Sequence, residues 1–252
     1  VMENCADSLA RNLLEFGREW PFIVFAEADL ESATNTQVAG IFAACGQGCV
    51  AGARLIVESS VKDQCIGLLK KKSEASRIGT PLDMATEVGP LCTKRQRDHV
   101  EQIVSASVNA GAKVVTGGQA GEGDGFYYLP TILDCAGLNS PSVETELFGP
   151  VLSAVSFTNA DEAVALANDT QYGLASGVFT QNLTRAHRMV KRIRAGIVWI
   201  NTYRAVSPIA PFGGYGQSGH GREGGLAAAL DFTRTKTVWL RTSDEPFPDP
   251  FV

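Results

Sequence analysis

The sequence of 252 residues has no long hydrophobic run, because its longest apolar stretches, such as residues 23–26 and 195–200, are the length of a strand. A bilayer-spanning helix needs about 20 apolar residues, so we expect no membrane partner. The sequence also lacks a basic run: 22 basic and 27 acidic residues are mixed along the chain and give a net charge of −5. We therefore expect no nucleic-acid partner.

Cysteine and histidine are scarce. The six cysteines form no CxxC pair, which favours free thiols in a cytoplasmic protein over a disulfide framework. Cys45 and Cys49 are too far in sequence from the nearest histidine, His99, to predict a zinc site, which needs about four ligands. No secretory signal opens the chain, and its first residues resemble the end of a helix followed by a strand, so we expect a fragment of a longer protein.

Short apolar segments alternate with amphipathic ones along most of the chain. This alternation, with nearly continuous apolar strands, predicts an α/β fold: a doubly wound, mostly parallel sheet with helices on both faces. A late isolated strand is predicted at 235–241. Strands are predicted at 21–25, 53–59, 113–116, 126–133 (an edge strand, limited by Pro130), 151–157, 175–180 and 196–201; helices are predicted at 29–46, 60–75 (capped by Ser60), 161–169 and 183–195, and within 89–112.

The stretch GQGCVAG surrounds Cys49 with Gly46, Gly48 and Gly52. Glycine inside an element costs stability, so a cluster indicates special backbone dihedrals or a close approach to the backbone. Cys49 follows a predicted helix and precedes a predicted strand, a kind of connection where α/β sheets commonly place active groups. Cys49 is therefore either a packed thiol or a nucleophile whose own N–H can bind an oxyanion.

Five ordered segments resemble the aldehyde dehydrogenases, and together they extend over about residues 2–239. GQGCVAGARLIV resembles the family's active-site segment, and LLEFG resembles the segment of its general base, with Glu15 lying 34 residues before Cys49. ETELFGPV places Glu146 97 residues after Cys49. The other two segments are NDTQYGLASGVFT and PFGGYGQSGHGRE.

The resemblance implies a role for each matching residue. Cys49 would attack an aldehyde, and Glu15 would activate the water that hydrolyses the resulting thioester. Glu146 and Phe148 would bind the nicotinamide side of NAD or NADP. The resemblance also implies that Val50, Val206 and Phe212 line the substrate pocket, and Arg204 matches a further position of the aldehyde tunnel.

The resemblance also implies the organisation of the intact protein. Residues 1–17 would be a remnant of a dinucleotide-binding domain whose larger part is missing, 18–233 the catalytic domain, and 234–252 an oligomerisation strand and tail. We expect a homodimer or homotetramer. The sequence departs from the family pattern at Arg18-Glu19-Trp20 and at Gly216.

Two alternatives remain open. One is a cysteine hydrolase using Gln47, Cys49 and His187, although Gln47 stands too close to the cysteine for that arrangement. The other is a catalytically incompetent fragment or scaffold of an aldehyde dehydrogenase. The dehydrogenase hypothesis requires that Glu15 and Cys49 face a shared cleft.

Overall fold

The computed structural model describes residues 1–17, 20–135, 137 and 139–251. Its strands are β1 (Leu14–Glu15), β2 (Pro21–Val24), β3 (Arg54–Glu58), β4 (Lys113–Thr116), β5 (Thr131–Asp134), β6 (Val151–Phe157), β7 (Tyr172–Gly173), β8 (Ala175–Phe179), β9 (Ile197–Ile200), β10 (Tyr215–Gly216) and β11 (Gly219–His220). Its α-helices are α1 (Met2–Ala6), α2 (Leu30–Phe42), α3 (Lys62–Ala75), α4 (Lys94–Asn109), α5 (Pro141–Glu144), α6 (Ala160–Asn168), α7 (Leu183–Arg192) and α8 (Gly225–Asp231), and two 3₁₀ turns span Ala43–Gly46 and Ser59–Val61.

Seven of the strands form one sheet in the order β4-β5-β6-β3-β2-β8-β9. All neighbours in it are parallel except β4 and β5, which are antiparallel. The chain leaves β2 for β3 on one side and later returns to place β8 on the other, which is doubly wound topology. The fold class predicted from the strand–helix alternation is confirmed.

The central strands are buried almost throughout, as their continuous apolar sequences predicted. Helices α2 and α6 pack on β2 and β6, and α3 packs on β3. Aromatic pairs fill the core, including Phe25 with Phe157 at 5.1 Å and Phe22 with Phe179 at 4.8 Å between ring centroids. The sheet therefore supports the loops at its edges rigidly.

Several predicted boundaries were wrong. Helix α2 ends at Phe42, before Cys45, because Ala44 and Cys45 have left-handed backbones. Ser60 does not cap α3, which begins after a 3₁₀ turn with Val61 at its N-cap position. Pro130 precedes strand β5 rather than lying in it, so β5 pairs on both sides and is not an edge.

Residues 235–241, which were predicted as a late isolated strand, form no strand within this chain and are exposed. Val238, Trp239 and Leu240 are 76%, 92% and 84% exposed. A strand needs a second backbone to form hydrogen bonds with, and this segment pairs with no described part of the chain.

None of the helices in the described residues has the length and apolar character of a membrane-spanning helix.

Candidate active site

The loop that carries Cys49 begins with an unusual backbone. Ala44, Cys45 and Gly46 have φ angles of 53°, 54° and 70°, in the left-handed region that favours glycine. Three such residues in succession end α2 sharply and turn the chain toward β3. The glycines predicted to mark special dihedrals do so at Gly46.

Gly46 fits against a second glycine, Gly149. A Cβ on Gly46 would lie 1.9 Å from the carbonyl oxygen of Gly149, well inside van der Waals contact. This close approach holds the Cys49 loop (residues 43–53) against the segment that contains Glu146 and Phe148. Gly48, by contrast, has open space where a Cβ would lie, with nothing within 4 Å.

Side-chain hydrogen bonds hold the loop at two further points. The indole N–H of Trp20, immediately before β2, donates to the carbonyl oxygen of Cys49. The backbone N–H of Cys92 donates to Oε1 of Gln47 at 3.0 Å. Because Trp20 precedes β2 and Cys49 precedes β3, Cys49 lies at the amino-terminal edge of the sheet. Open parallel sheets usually place ligands at the opposite edge, so the expectation that this connection is a common place for active groups is wrong.

Glu15 is brought to this edge by a short ribbon. Strand β1 pairs antiparallel with β11 of the glycine-rich loop, and the N–H of Phe16 donates to the carbonyl oxygen of Ser218 at 3.0 Å. Two residues after Glu15, a Cβ on Gly17 would lie 2.7 Å from the Cα of Cys49. The Glu15 segment therefore lies directly against the Cys49 backbone.

Glu15, Glu146 and Phe148 line one cleft of about 640 Å³. The other lining residues are Phe16, Gly17, Gln96, His99, Tyr172 and Gln217. The structure thus brings together three of the four residues predicted to act on aldehyde and cofactor, and Gly17 joins their cleft to the fourth, Cys49.

Helix α4 positions the Glu146–Phe148 segment through two side chains. Gln96 donates to the carbonyl oxygens of Leu147 and Phe148, the second at 3.1 Å, and His99 Nε2 lies 3.2 Å from the carbonyl oxygen of Glu146. Phe148 has a φ of 50° and is 38% exposed, so its ring is held out toward the cleft in a strained backbone. Sequence reasoning missed Gln96 and assigned His99 to a plain helix, although their spacing of three residues places both on one helix face.

The pKa of the Cys49 thiol is raised above its usual value. Burial is the largest cause, and the negative charge of Glu15 is the next. The backbone N–H groups of Cys49 and Val50 and the positive charge of Arg204 oppose this shift. Cys49 itself is not among the residues that line the cleft, and Gly17 is the cleft residue that contacts it.

The pKa of Glu15 is also raised, first by burial and then by the charge of Glu223. Its Oε1 atom is buried and has no hydrogen-bond partner among the described residues. A carboxylate with a raised pKa and an unused acceptor is a good general base. Glu223 pairs with Phe212 through an isolated β-bridge, and sequence spacing did not indicate that its charge acts on Glu15.

We expect the substitution Glu15→Gln to lower the pKa of Cys49, because it removes a negative charge that disfavours the thiolate. The pH dependence of Cys49 alkylation by iodoacetamide, followed by peptide mass spectrometry, should move to lower pH. Glu122→Gln removes the same charge from an exposed loop and serves as the control. An unchanged profile in Glu15→Gln would contradict the electrostatic contact.

The three residues predicted for the substrate pocket do not line the cleft. Val50 is buried at 8% exposure, Val206 is 65% exposed, and Phe212 is partly buried against the core. Their role stays a prediction. His187 is exposed on α7, as a solvated helix face predicts, and His220 contacts the carbonyl oxygen of Asn12 at 2.9 Å.

The departures from the family pattern have different outcomes. Arg18 and Glu19 lie outside the described residues. Gly216 has a φ of 57° and pairs with Tyr172 in the β10–β7 ribbon, so glycine suits that backbone. All six cysteines are free thiols, and among the described residues no group of three His, Cys, Asp or Glu side chains is arranged to hold a metal ion.

These features define a class: a mostly parallel α/β protein in which a cysteine loop packs, at the amino-terminal edge of the sheet, against the two segments that bring Glu15 and Glu146 to one cleft. The sequence matches the aldehyde dehydrogenase family over residues 1–238. This chain belongs to the aldehyde dehydrogenase family.

Individual relatives agree with this assignment. A (Z)-2-((N-methylformamido)methylene)-5-hydroxybutyrolactone dehydrogenase of Acinetobacter baylyi is 60% identical over 253 positions, covering 100% of this chain and 52% of the relative. A betaine aldehyde dehydrogenase of Sinorhizobium fredii is 42% identical, with 95% of this chain and 50% of the relative covered. The chain therefore spans about half the length of the curated relatives it matches.

Solved structures agree as well. An aldehyde dehydrogenase of Bacillus cereus in complex with NAD⁺ superposes with a TM-score of 0.93 at 36% identity, covering 96% of this chain and 49% of that one. PnpE in complex with nicotinamide adenine dinucleotide gives a TM-score of 0.94 at 40% identity, with 98% and 51% covered.

Proposed function

We propose that the whole protein oxidises an aldehyde to a carboxylic acid with NAD⁺ or NADP⁺ as the oxidant. The observation that carries this proposal is the contact between the Glu15 segment and Cys49 beside a cleft lined by Glu146 and Phe148. Membership of the aldehyde dehydrogenase family and the NAD-bound structural neighbours support it.

Cys49 starts the reaction. Its sulfur adds to the aldehyde carbon to form a thiohemiacetal, and the developing oxyanion can accept a hydrogen bond from the backbone N–H of Cys49. That N–H and the N–H of Val50 also favour the thiolate over the thiol. Since burial raises the pKa of Cys49, the thiol needs a base for deprotonation, and Glu15 is the carboxylate whose charge acts on the sulfur.

Glu15 has a second task after oxidation, when the acyl group is held on Cys49 as a thioester. A water molecule must lose a proton as it attacks that thioester, and a carboxylate with a raised pKa accepts the proton more readily than an ordinary one. The buried, unpartnered Oε1 of Glu15 is available to such a water. Hydrolysis then returns Cys49 to its free form.

The cleft residues fit a nicotinamide cofactor. Glu146 can accept hydrogen bonds from ribose hydroxyls, and the exposed ring of Phe148 offers a flat surface beside a planar base. When bound, the cofactor supplies the hydride acceptor. The close packing of Gly46 on Gly149 holds the segment of Glu146 and Phe148 in a fixed position relative to the Cys49 loop.

The related lactone dehydrogenase suggests a particular form of substrate. A 5-hydroxybutyrolactone is a cyclic form of a 4-oxobutanoate, and its ring-opened form carries an aldehyde. We propose that this protein acts on an aldehyde that is in equilibrium with a cyclic form, or on an aldehyde similar in structure to such a compound. We propose that betaine aldehyde, which the name of the more distant relative gives, is a poorer substrate.

The exposed, unpaired 235–241 segment supports a further part of the proposal, that the intact cytoplasmic protein is a homodimer or homotetramer joined through this segment. Exposed backbone with apolar side chains favours strand pairing with another chain.

For the 252 residues considered alone, we propose that thiol chemistry persists and dehydrogenase turnover does not.

The test is formation of NADH or NADPH, followed at 340 nm, by the whole protein with a panel of aldehydes. We expect aldehyde-dependent reduction of one cofactor and a carboxylic acid as product. The absence of reduction with every aldehyde, in protein that binds the cofactor, would refute the proposal.

A further inference from the structure

A second cavity, of about 720 Å³, lies beside the Cys49 loop and is lined by two further cysteines, Cys45 and Cys92. Neither thiol has a part in the proposed function. The cavity wall is largely apolar and includes Pro81, Leu91 and Phe126. Two thiols that are distant in sequence therefore border one apolar space.

Hydrogen bonds hold the segments of these two cysteines together. The backbone N–H of Cys92 donates to Oε1 of Gln47 at 3.0 Å, and Gln47 is two residues after Cys45. The N–H of Gln47 donates in turn to the carbonyl oxygen of Ala44 at 3.0 Å, which closes the turn that contains Cys45. The segment before α4 is thus fixed against the Cys45 turn.

The two thiols differ in exposure, and this difference assigns a role to each. Cys92 is exposed, whereas Cys45 is 2% exposed and belongs to the hydrophobic core. Burial, and after it the negative charge that Cys92 can carry, raises the pKa of Cys45 to about 12. Cys45 is therefore a shielded, protonated thiol at neutral pH, and Cys92 is the thiol that a dissolved oxidant reaches first.

We propose that Cys92 and Cys45 form a peroxide-reactive thiol pair, a modification site separate from Cys49. The Cys92 sulfur attacks one oxygen of hydrogen peroxide, the O–O bond breaks, and a sulfenic acid and water are formed. The Cys45 sulfur then attacks the Cys92 sulfur, and the sulfenic hydroxyl leaves as water with the thiol proton of Cys45. The two thiols together lose two electrons and two protons, and the peroxide is reduced to water.

The resulting disulfide would join the Cys49 loop covalently to the segment before α4, where the hydrogen bond of Gln47 now joins them. Because Cys45 is four residues before Cys49, oxidation of the pair acts on the nucleophile's loop and leaves the nucleophile itself unmodified. A thiol reductant reverses the change by thiol–disulfide exchange. The inference does not depend on the proposed function, since Cys49 takes no part in the reaction.

Peptide mass spectrometry of the whole protein tests this inference. Reduced protein is treated with hydrogen peroxide, its remaining thiols are blocked with iodoacetamide, and it is digested without reductant. We expect a disulfide-linked pair of peptides that contain Cys45 and Cys92, lighter by about 2 Da than the two reduced peptides together and absent after treatment with dithiothreitol. Cys49→Ala should form the same pair, and it identifies the partner of Cys92 because Cys45 and Cys49 share one tryptic peptide.

Dimedone, which adds to sulfenic acids, tests the order of the two steps. In the unmodified protein Cys45 consumes the sulfenic acid of Cys92, so we expect little dimedone adduct at Cys92. Cys45→Ala should raise the amount of this adduct at least about fivefold, because the second thiol is missing. Cys65→Ala, which removes an equally buried thiol that does not line this cavity, should leave it unchanged.

The 99% exposed Met84 lies on the same tryptic peptide as Cys92, and its sulfoxide shows that the peroxide dose was sufficient. If the peptides of Cys45 and Cys92 are not linked at any dose up to the one that oxidises Met84, the inference is wrong. A disulfide from Cys92 to Cys49 in place of Cys45 would also overturn it. Should Cys45→Ala fail to fold, the linked peptides of the unmodified protein and of Cys49→Ala decide the question.

Discussion

Replacing Cys49 by alanine is expected to abolish hydrolysis of an activated ester such as p-nitrophenyl acetate by this chain, and aldehyde oxidation by the whole protein. Ester hydrolysis needs the nucleophile and the base but no hydride acceptor, so it isolates the chemistry of Cys49 and Glu15. Loss of a covalent nucleophile commonly costs at least about 10³-fold in rate. The measurement is release of nitrophenolate, with the spontaneous hydrolysis in buffer subtracted.

Cys92→Ala is the matched control for this substitution. Cys92 is an exposed thiol whose backbone N–H holds Gln47 of the Cys49 loop, and alanine preserves that N–H. The control should therefore retain hydrolysis at close to the full rate. Hydrolysis that persists in Cys49→Ala and disappears in Cys92→Ala would show that Cys92, and not Cys49, is the nucleophile.

The substitution Gly46→Ala is expected to lower the free energy of unfolding by about 3 kcal/mol, from a left-handed backbone and from overpacking together. Its Cβ would lie 1.9 Å from the carbonyl oxygen of Gly149, and backbone cannot move aside as a flexible side chain can. The Cys49 loop would have to separate from the Glu146–Phe148 segment. Urea denaturation followed by tryptophan fluorescence measures the change in stability.

Gly48→Ala provides the comparison within the same loop. Gly48 has nothing within 4 Å of its Cβ position and no positive φ, so alanine there should change stability by less than about 0.5 kcal/mol. The two variants add one methyl group each, two residues apart. Equal stability of the two variants would show that the approach of Gly46 to Gly149 does not constrain the loop.

The strand–helix alternation predicted the sheet well because the hydrophobic pattern of each segment reflects which of its own faces are buried. The strand at 151–157 was placed at its observed bounds, since an apolar run covered on both faces needs no knowledge of its neighbours. Helix α2 was extended too far for the same reason: its apolar spacing continues to Cys45, but the left-handed backbone at Ala44 ends it. The turn that follows packs Gly46 against Gly149, about a hundred residues away in sequence.

The residues of the candidate site also fall into two groups, those that a local motif predicted and those that only a distant contact places there. Cys49, Glu15, Glu146 and Phe148 were predicted as site residues from short motifs that resemble the family's, and the structure places their segments side by side. Trp20, Gln96 and Glu223 were not identified, since each acts through a contact with a distant segment. A single sequence contains no direct record of such contacts.

The amino-acid sequence by itself determined the α/β class and the family, and it predicted Cys49, Glu15 and Glu146 as site residues, because periodicity and motif spacing are properties of neighbouring residues. Only the tertiary structure decided that the site lies at the amino-terminal edge of the sheet, that Arg204 lies beside the Cys49 loop, and that residues 235–241 have no strand partner within the described chain. These three facts depend on which distant segments pack together, and packing is settled by the whole fold rather than by any one stretch of it.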